Sequence, residues 1–206
     1  MTMPPATRRF VIGITGASGA LYATRTMAAL LEWGCHLDVI ASDYGRRLLI
    51  EELGAEARVD RLQDFLADRH GDGVRSGVVQ LHSNRDLGSA LASGGNRSEA
   101  MVVVPCSMKT LAGIAHGLSQ NLIERAADVM LKERRRLIVV PRETPMSLPD
   151  LRNMVLAAEA GAMLLPAMPA FYQKPATLDD LGAFIAGKIL GALGFDHDLF
   201  PARGGS

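Results

Sequence analysis

Arg142 and Glu143 stand side by side in "PRETP", directly after an apolar run that reads as a buried strand. Neighbouring side chains at a strand end point in different directions, so one can reach a phosphate while the other carries a proton. Solvation at the surface is the plainer alternative. Arg125 and Lys132 in "NLIERAADVMLKERRR" are seven residues apart, hence on one face of a helix. Asp128 between them also allows a simple salt-bridge ladder. In "LDDLGAFIAGKILGALG" the spacing predicts an apolar stripe of Leu181, Phe184, Ile185, Ile189 and Ala192, with Lys188 at a stripe position. An ammonium there must snorkel or meet an anion.

Two small-residue turns add hydroxyls. "GITGASG" spaces Gly13, Gly16 and Gly19 as G-x-x-G-x-x-G, which disfavours the G-x-G-x-x-G turn of dinucleotide folds. A strand, a small turn and a helix still present backbone N–H groups and a positive dipole end to a phosphate, with Ser18 adjacent. A helix cap with glycines chosen for tight packing is the alternative. "PCSMKT" repeats the arrangement: Cys106 reads as a buried thiol or a nucleophile, and Ser107 and Thr110 as ligand contacts or caps. Glu52 closes the second helix without special status, and His36, His70, His82, His116 and His197 show no metal-ligand spacing.

The elements that must position these groups alternate. Apolar runs "RFVIGIT", "CHLDVIAS", "GVVQLHS", "AMVVVPC", "RLIVVPRE" and "AMLLPAMP" read as strands. Helical patterns fall between or after them at about 19–33, 43–53, 60–69, 107–117, 120–135, 148–160 and 177–193. Continuous apolarity interleaved with helices predicts a doubly wound parallel sheet covered on both faces, an α/β fold of three layers. One domain over residues 1–206 is expected, with flexible ends at about 1–8 and 202–206. The stretch "SNRDLGSALASGGN", Ser83 to Asn96, is expected to be a mobile loop or lid. In such sheets ligands bind outside the carboxyl ends of the strands, where the turns above and Ser42 collect.

Composition narrows the function classes. Twenty-two basic residues balance twenty-two acidic ones, so no global field draws the chain to nucleic acid or an anionic membrane. "TRRF" followed by "VIGITGASGALYA" imitates a secretory signal, but its glycines and hydroxyls read better as strand and turn. No apolar run approaches the roughly 18 residues of a membrane span. Cys35 and Cys106, both in apolar runs, fit a reducing cytoplasm.

The blocks "GITGASGALYATR", "VVVPCSMKTLAGIAHG", "NLIERAADVMLKERRRLIVVPRETP" and "GAMLLPAMPAFYQKP", together with the Lys188 helix, occur in order across nearly the whole chain. In this the sequence resembles the UbiX-type flavin prenyltransferases, a branch of the flavoprotein superfamily that includes flavin-dependent cysteine decarboxylases. The resemblance implies a flavodoxin-like, Rossmann-like fold and a homo-oligomer, a dodecamer. It also implies metal-free transfer of the dimethylallyl group of dimethylallyl phosphate to N5 and C6 of reduced FMN. Phosphate is released, and the prenylated FMN passes to a UbiD-type decarboxylase. Carried over residue by residue, Gly16, Ala17, Ser18, Ser42, Ser107, Met108, Lys109, Thr110 and Arg142 would hold FMN. Arg125, Lys132, Arg142, Tyr172 and Lys188 would surround the prenyl phosphate, some across subunit interfaces. Glu143 would assist phosphate departure, and Glu52 with Ser18 would handle the proton lost on ring closure.

Two departures stand out. Lys109 occupies a position that is glycine in many members, as in the branch associated with phenolic-acid decarboxylases, and Leu87 stands where some carry tryptophan. The runners-up are an FMN-dependent cysteine decarboxylase, whose histidine and PASANT-like loop are not found, and a non-catalytic FMN carrier or decarboxylase accessory subunit. Retention of Lys132, Glu143 and Lys188 speaks against the carrier, since FMN storage needs no second phosphate pocket.

Overall fold

The computed structural model describes residues 8–200, so the expected flexible ends lie outside the described residues, apart from Arg8. Six strands form one parallel sheet: β1 (Arg9–Ile14), β2 (His36–Ala41), β3 (Val78–Ser83), β4 (Ala100–Cys106), β5 (Arg136–Pro141) and β6 (Met163–Leu164). Seven helices connect and follow them: α1 (Ala20–Glu32), α2 (Asp43–Leu53), α3 (Leu62–His70), α4 (Met108–Ala115), α5 (Leu122–Lys132), α6 (Leu148–Glu159) and α7 (Leu178–Ala192). The order β3-β2-β1-β4-β5-β6 is that of the Rossmann-type doubly wound sheet, with the topological switch between β1 and β4.

Strand side chains alternate between two cores. Phe10, Ile12, Val39, Val102, Val104 and Val140 meet α1, α3 and α7 on one face, through Met27, Leu30, Leu66, Ile185 and Ile189. Val11, Met101, Val103, Leu137 and Val139 meet α4, α5 and α6 on the other, through Leu111, Ile123, Met130 and Ala157. The central strands are therefore largely apolar on both faces, as burial on both faces requires.

Three expectations are corrected. The last strand is only two residues long, because Pro166 and Pro169 in "AMLLPAMP" cannot donate to a ladder. The edge strand β3 is not covered on both faces: Val78 and Leu81 are exposed. The stretch Ser83 to Asn96 is not a free loop. Leu91 is buried in the second core, Ala90–Ala92 forms a 3-10 turn, and Arg135 donates to the carbonyls of Gly94 and Asn96. A segment with these anchors has little local freedom.

Asp38, fully buried on β2, sits beneath that stretch. Arg9 donates to its two oxygens at 2.5 and 2.8 Å, and His82 lies 2.7 Å from Oδ1. Burial alone would raise the Asp38 pKa, but the hydrogen bonds from Arg9 and His82 outweigh it and hold the carboxyl below the usual carboxylate range. Asp38→Asn should lower unfolding stability by about 3 kcal/mol, the low end for breaking a buried pair, since Arg9 keeps some access to water. Because the folded pKa is depressed, the contribution is complete above roughly pH 4 and is lost as pH falls through the lower folded value. Denaturant melts of both proteins should therefore differ at neutral pH and converge in acid; parallel curves down to the acid limit would contradict the assignment.

Candidate active site

The site begins with a brace at the switch point. Thr15, buried just past β1, donates its hydroxyl to Pro105 O at 2.9 Å and its N–H to the same carbonyl at 3.2 Å. Its oxygen in turn accepts the N–H of Ser107 at 2.7 Å. The two small-residue turns are thereby fixed side by side at the carboxyl ends of β1 and β4. Nothing in the sequence singled out Thr15, because its role depends on a partner 92 residues away.

Two helix N-termini open beside this brace. The Ser42 hydroxyl caps α2 by accepting from Gly45 N–H, and the Ser107 hydroxyl caps α4 by accepting from Thr110 N–H. Ser107 Oγ also donates to Thr110 Oγ1 at 3.1 Å. Both serines thus do what the capping alternative required, and they do it on the wall of a cleft of about 450 Å3. Gly16, Ser42, Ser107, Lys109 and Thr110, all expected at the flavin, line it together with Tyr44, Asn84 and Glu124. A Cβ on Gly16 would lie 2.6 Å from the Tyr44 Cβ, so glycine is what lets the first turn pass α2. Ala17 and Met108 are instead buried, Met108 in the core beneath α4.

The phosphate expectation for the first turn is corrected. Gly19, at φ 119°, and Ala20 give their N–H groups to the Glu52 carboxylate at 2.9 and 2.8 Å. The positive end of α1 is therefore taken by a side chain from α2, a charge-assisted cap with no sequence signal because donor and acceptor are 33 residues apart. Ser18 is exposed next to this cap, and its carbonyl accepts from Arg142 Nε at 3.0 Å. Glu52, Ser18 and Arg142 are thus brought together. Tyr22 joins them: burial raises its pKa, Arg142 works to lower it and Glu52 to raise it, with a net rise. Glu143, the next residue, is exposed, and its Oε1 accepts from Thr144 N–H at 3.0 Å.

The remaining cations divide. Arg125 pairs with Asp128 at 2.8 Å and donates to Ala92 O at 3.2 Å, so the ladder reading holds for that pair. Lys132 is exposed in the last turn of α5. Lys188 is exposed on α7, outside the buried stripe of Phe184, Ile185 and Ile189, with Nζ 5.4 Å from the ring centres of Phe184 and Phe200. Lys188 therefore sits at the exposed margin of the stripe, one turn from Phe184, where it snorkels and ring contact relieves the ammonium. Tyr172 meets the same Phe184 ring edge-on at 6.4 Å, which groups Tyr172 with Lys188. Because α5 and α7 cover opposite faces of the sheet, Arg125 and Lys132 stand apart from Lys188 within one protomer.

Residues 4–186 match the Flavoprotein family. A flavin prenyltransferase UbiX of Halalkalibacterium halodurans is 43% identical over 195 residues, 95% of this chain and 93% of the relative. One from Methanothermobacter thermautotrophicus is 40% identical over 94% of each chain. Among solved structures, AnUbiX in complex with FMN and dimethylallyl pyrophosphate is 36% identical and superposes with a TM-score of 0.85, covering 97% of this chain and 99% of the other. A dodecameric FMN-dependent UbiX-like decarboxylase from Escherichia coli is 33% identical, with a TM-score of 0.82 over 96% and 100%. A PPC decarboxylase, at 16% identity and a TM-score of 0.60, shares the fold alone.

Cys106 is fully buried and burial pushes its thiol pKa far up, while burial raises Cys35 to about 11. The nucleophile alternative for Cys106 is thereby closed. Neither thiol should react with iodoacetamide in the folded protein at neutral pH, and both should react after denaturation. Stoichiometric native labelling of Cys106, read by mass spectrometry, would reopen it.

Proposed function

The chain belongs to the Flavoprotein family and, within it, to the flavin prenyltransferases named UbiX, and from that membership we propose that it transfers the dimethylallyl group of dimethylallyl phosphate to N5 and C6 of reduced FMN. The observation that carries the reading to this chain is the cleft itself: five residues expected at the flavin line one wall system at the switch point, between two capped helix N-termini. Lys109, Thr110, Ser42 and Ser107 supply a cation, hydroxyls and dipole ends for the FMN phosphate, and Gly16 lets the first turn pass Tyr44 to form the wall. Reduced FMN brings electron-rich N5 and C6 to the reaction.

Breaking the allylic C–O bond leaves both bonding electrons on phosphate, and preorganised cations stabilise that charge. Arg125, Lys132, Arg142 and Lys188, with Tyr172, take this role, and Glu143 protonates the departing phosphate. Glu52, held at the α1 N-terminus beside Ser18, accepts the proton released on ring closure through that hydroxyl. Since α5 and α7 lie on opposite faces, the cations of one site come from different protomers, in a homo-oligomer built as the dodecameric relative is. A UbiD-type decarboxylase receives the product. No helix among the described residues is long and apolar enough to cross a membrane, and with two unpaired buried thiols a cytoplasmic location fits.

The decisive experiment is anaerobic incubation of the protein with reduced FMN and dimethylallyl phosphate, followed by mass spectrometry of the flavin. A flavin heavier by one prenyl unit is expected; unchanged flavin with both phosphate and pyrophosphate donors would favour the carrier reading. Lys132→Ala should still bind FMN while losing turnover by about 10²–10³-fold, the usual cost of one electrostatic contact to a developing anion. Co-assembled Lys132→Ala and Lys188→Ala protomers should recover activity that neither shows alone, because some shared sites regain both lysines.

A further inference from the structure

Asn84 begins the connection after β3 and lines the cleft. Its backbone carbonyl accepts the N–H of Leu122 at 2.8 Å, and its side-chain carbonyl accepts the N–H of Ile123 at 3.1 Å. These are the first two N–H groups of α5, which have no partner within the helix. Asn121 caps a third, accepting from Glu124 N–H at 3.1 Å. The α5 end of the cleft therefore has its first three helical N–H groups spent, and the buried carboxylate of Glu124 also lines it. A phosphate is disfavoured at this wall by charge, and because α2 also brings a carboxylate, Asp43, to the cleft, it belongs at the α4 end beside Lys109. A neutral, acceptor-bearing part of a ligand fits here instead.

The orientation of the Asn84 amide follows from chemistry: an N–H from Ile123 can meet only its oxygen, so the NH2 is the outward group. No described group accepts a hydrogen bond from that NH2. The backbone that presents it is rooted on both sides. His82, two residues earlier, is held by Asp38, and its other ring nitrogen lies 3.3 Å from Ser89 Oγ; the Leu122 and Ile123 bonds tie Asn84 to α5. We propose that Asn84 is a flavin-binding residue whose NH2 donates to a carbonyl or ring nitrogen of the isoalloxazine, while its oxygen positions α5 at the site. This rests on the flavin reading above.

The two roles separate in one substitution. Asn84→Asp keeps an oxygen for Ile123 N–H and leaves the Leu122 bond in the backbone, but has no NH2 to donate. FMN affinity by flavin-fluorescence titration should fall about tenfold, the scale of one lost hydrogen bond, with the thermal melt unchanged. Titration is repeated in ~1 M salt, where the Debye length of ~3 Å screens any repulsion between the new carboxylate and the FMN phosphate. A deficit that persists supports the donor; wild-type affinity for Asn84→Asp in high salt overturns it. Asn84→Ala should show the same binding loss together with a lower melt, from the unpartnered Ile123 N–H. If wild type itself fails to bind FMN, the flavin reading falls and the proposal with it, whereas normal FMN binding by both variants sinks only the proposal.

Discussion

The geometry of the site depends on one buried hydroxyl. Parallel strands deliver their carboxyl ends to a common edge, but only Thr15 locks the turn after β1 to the turn after β4. Its oxygen donates to Pro105 O and accepts from Ser107 N–H, so both peptide groups at the switch are satisfied without water. Everything on the cleft wall is placed from there. Ser107 starts α4, Gly16 passes α2 at close range, and Arg142 reaches back to Ser18.

A parallel sheet with helical crossovers also sorts charge by edge. Helix N-termini gather at the carboxyl edge and C-termini at the other. At the amino edge, Arg8 donates to Leu193 O and Arg136 to Ala192 O, answering the carbonyl end of α7. Arg134, at φ 53°, is the left-handed residue that ends α5, with Arg135 N–H returning to Met130 O. In the run of arginines, Arg134 ends α5 through its backbone, the Arg135 side chain holds the carbonyls of Gly94 and Asn96, and Arg136 answers α7. At the carboxyl edge the same logic runs with opposite sign: Glu52 answers α1, Asn84 with Asn121 answers α5, and α2 carries Asp43 in its first turn, which leaves α4, capped by Ser107 with Lys109 in its first turn, as the end of the cleft able to attract an anion.

The legible part of this molecule is the part written in local pattern. Strand β4 and helix α2 fall where apolarity, a serine cap and a following glycine put them. The cleft residues Ser42, Ser107 and Thr110 were visible because strand ends in such a sheet are informative positions. Contacts distant in sequence were not visible. Neither the Glu52 cap on α1 nor the Thr15 brace has a motif, and the glycine-rich Ser83 to Asn96 stretch reads as loose because its anchors, His82, Arg125 and Arg135, lie on other elements. Lys188 reads as a stripe residue because period alone cannot tell a stripe from its margin when small residues such as Gly187 and Ala186 flank it.

The position of Lys188 bears on the proposal that the cations of one site are shared between protomers. Lys188 lies over Phe184 and Phe200 on the α1 side of the sheet, and Lys132 ends α5 on the α4 side, so the two lysines stand on opposite faces within the protomer. An exposed apolar stripe on α6, Leu148, Leu151, Val155 and Leu156, and the residues Met168, Phe171 and Leu178 lie uncovered on the single chain. Two of these groups flank functional residues: α6 follows Arg142 and Glu143, and Phe171 adjoins Tyr172. On the shared-site proposal, burial of apolar area between protomers and completion of the cation shell would be one event, with the charge that stabilises a leaving phosphate assembled where water is excluded.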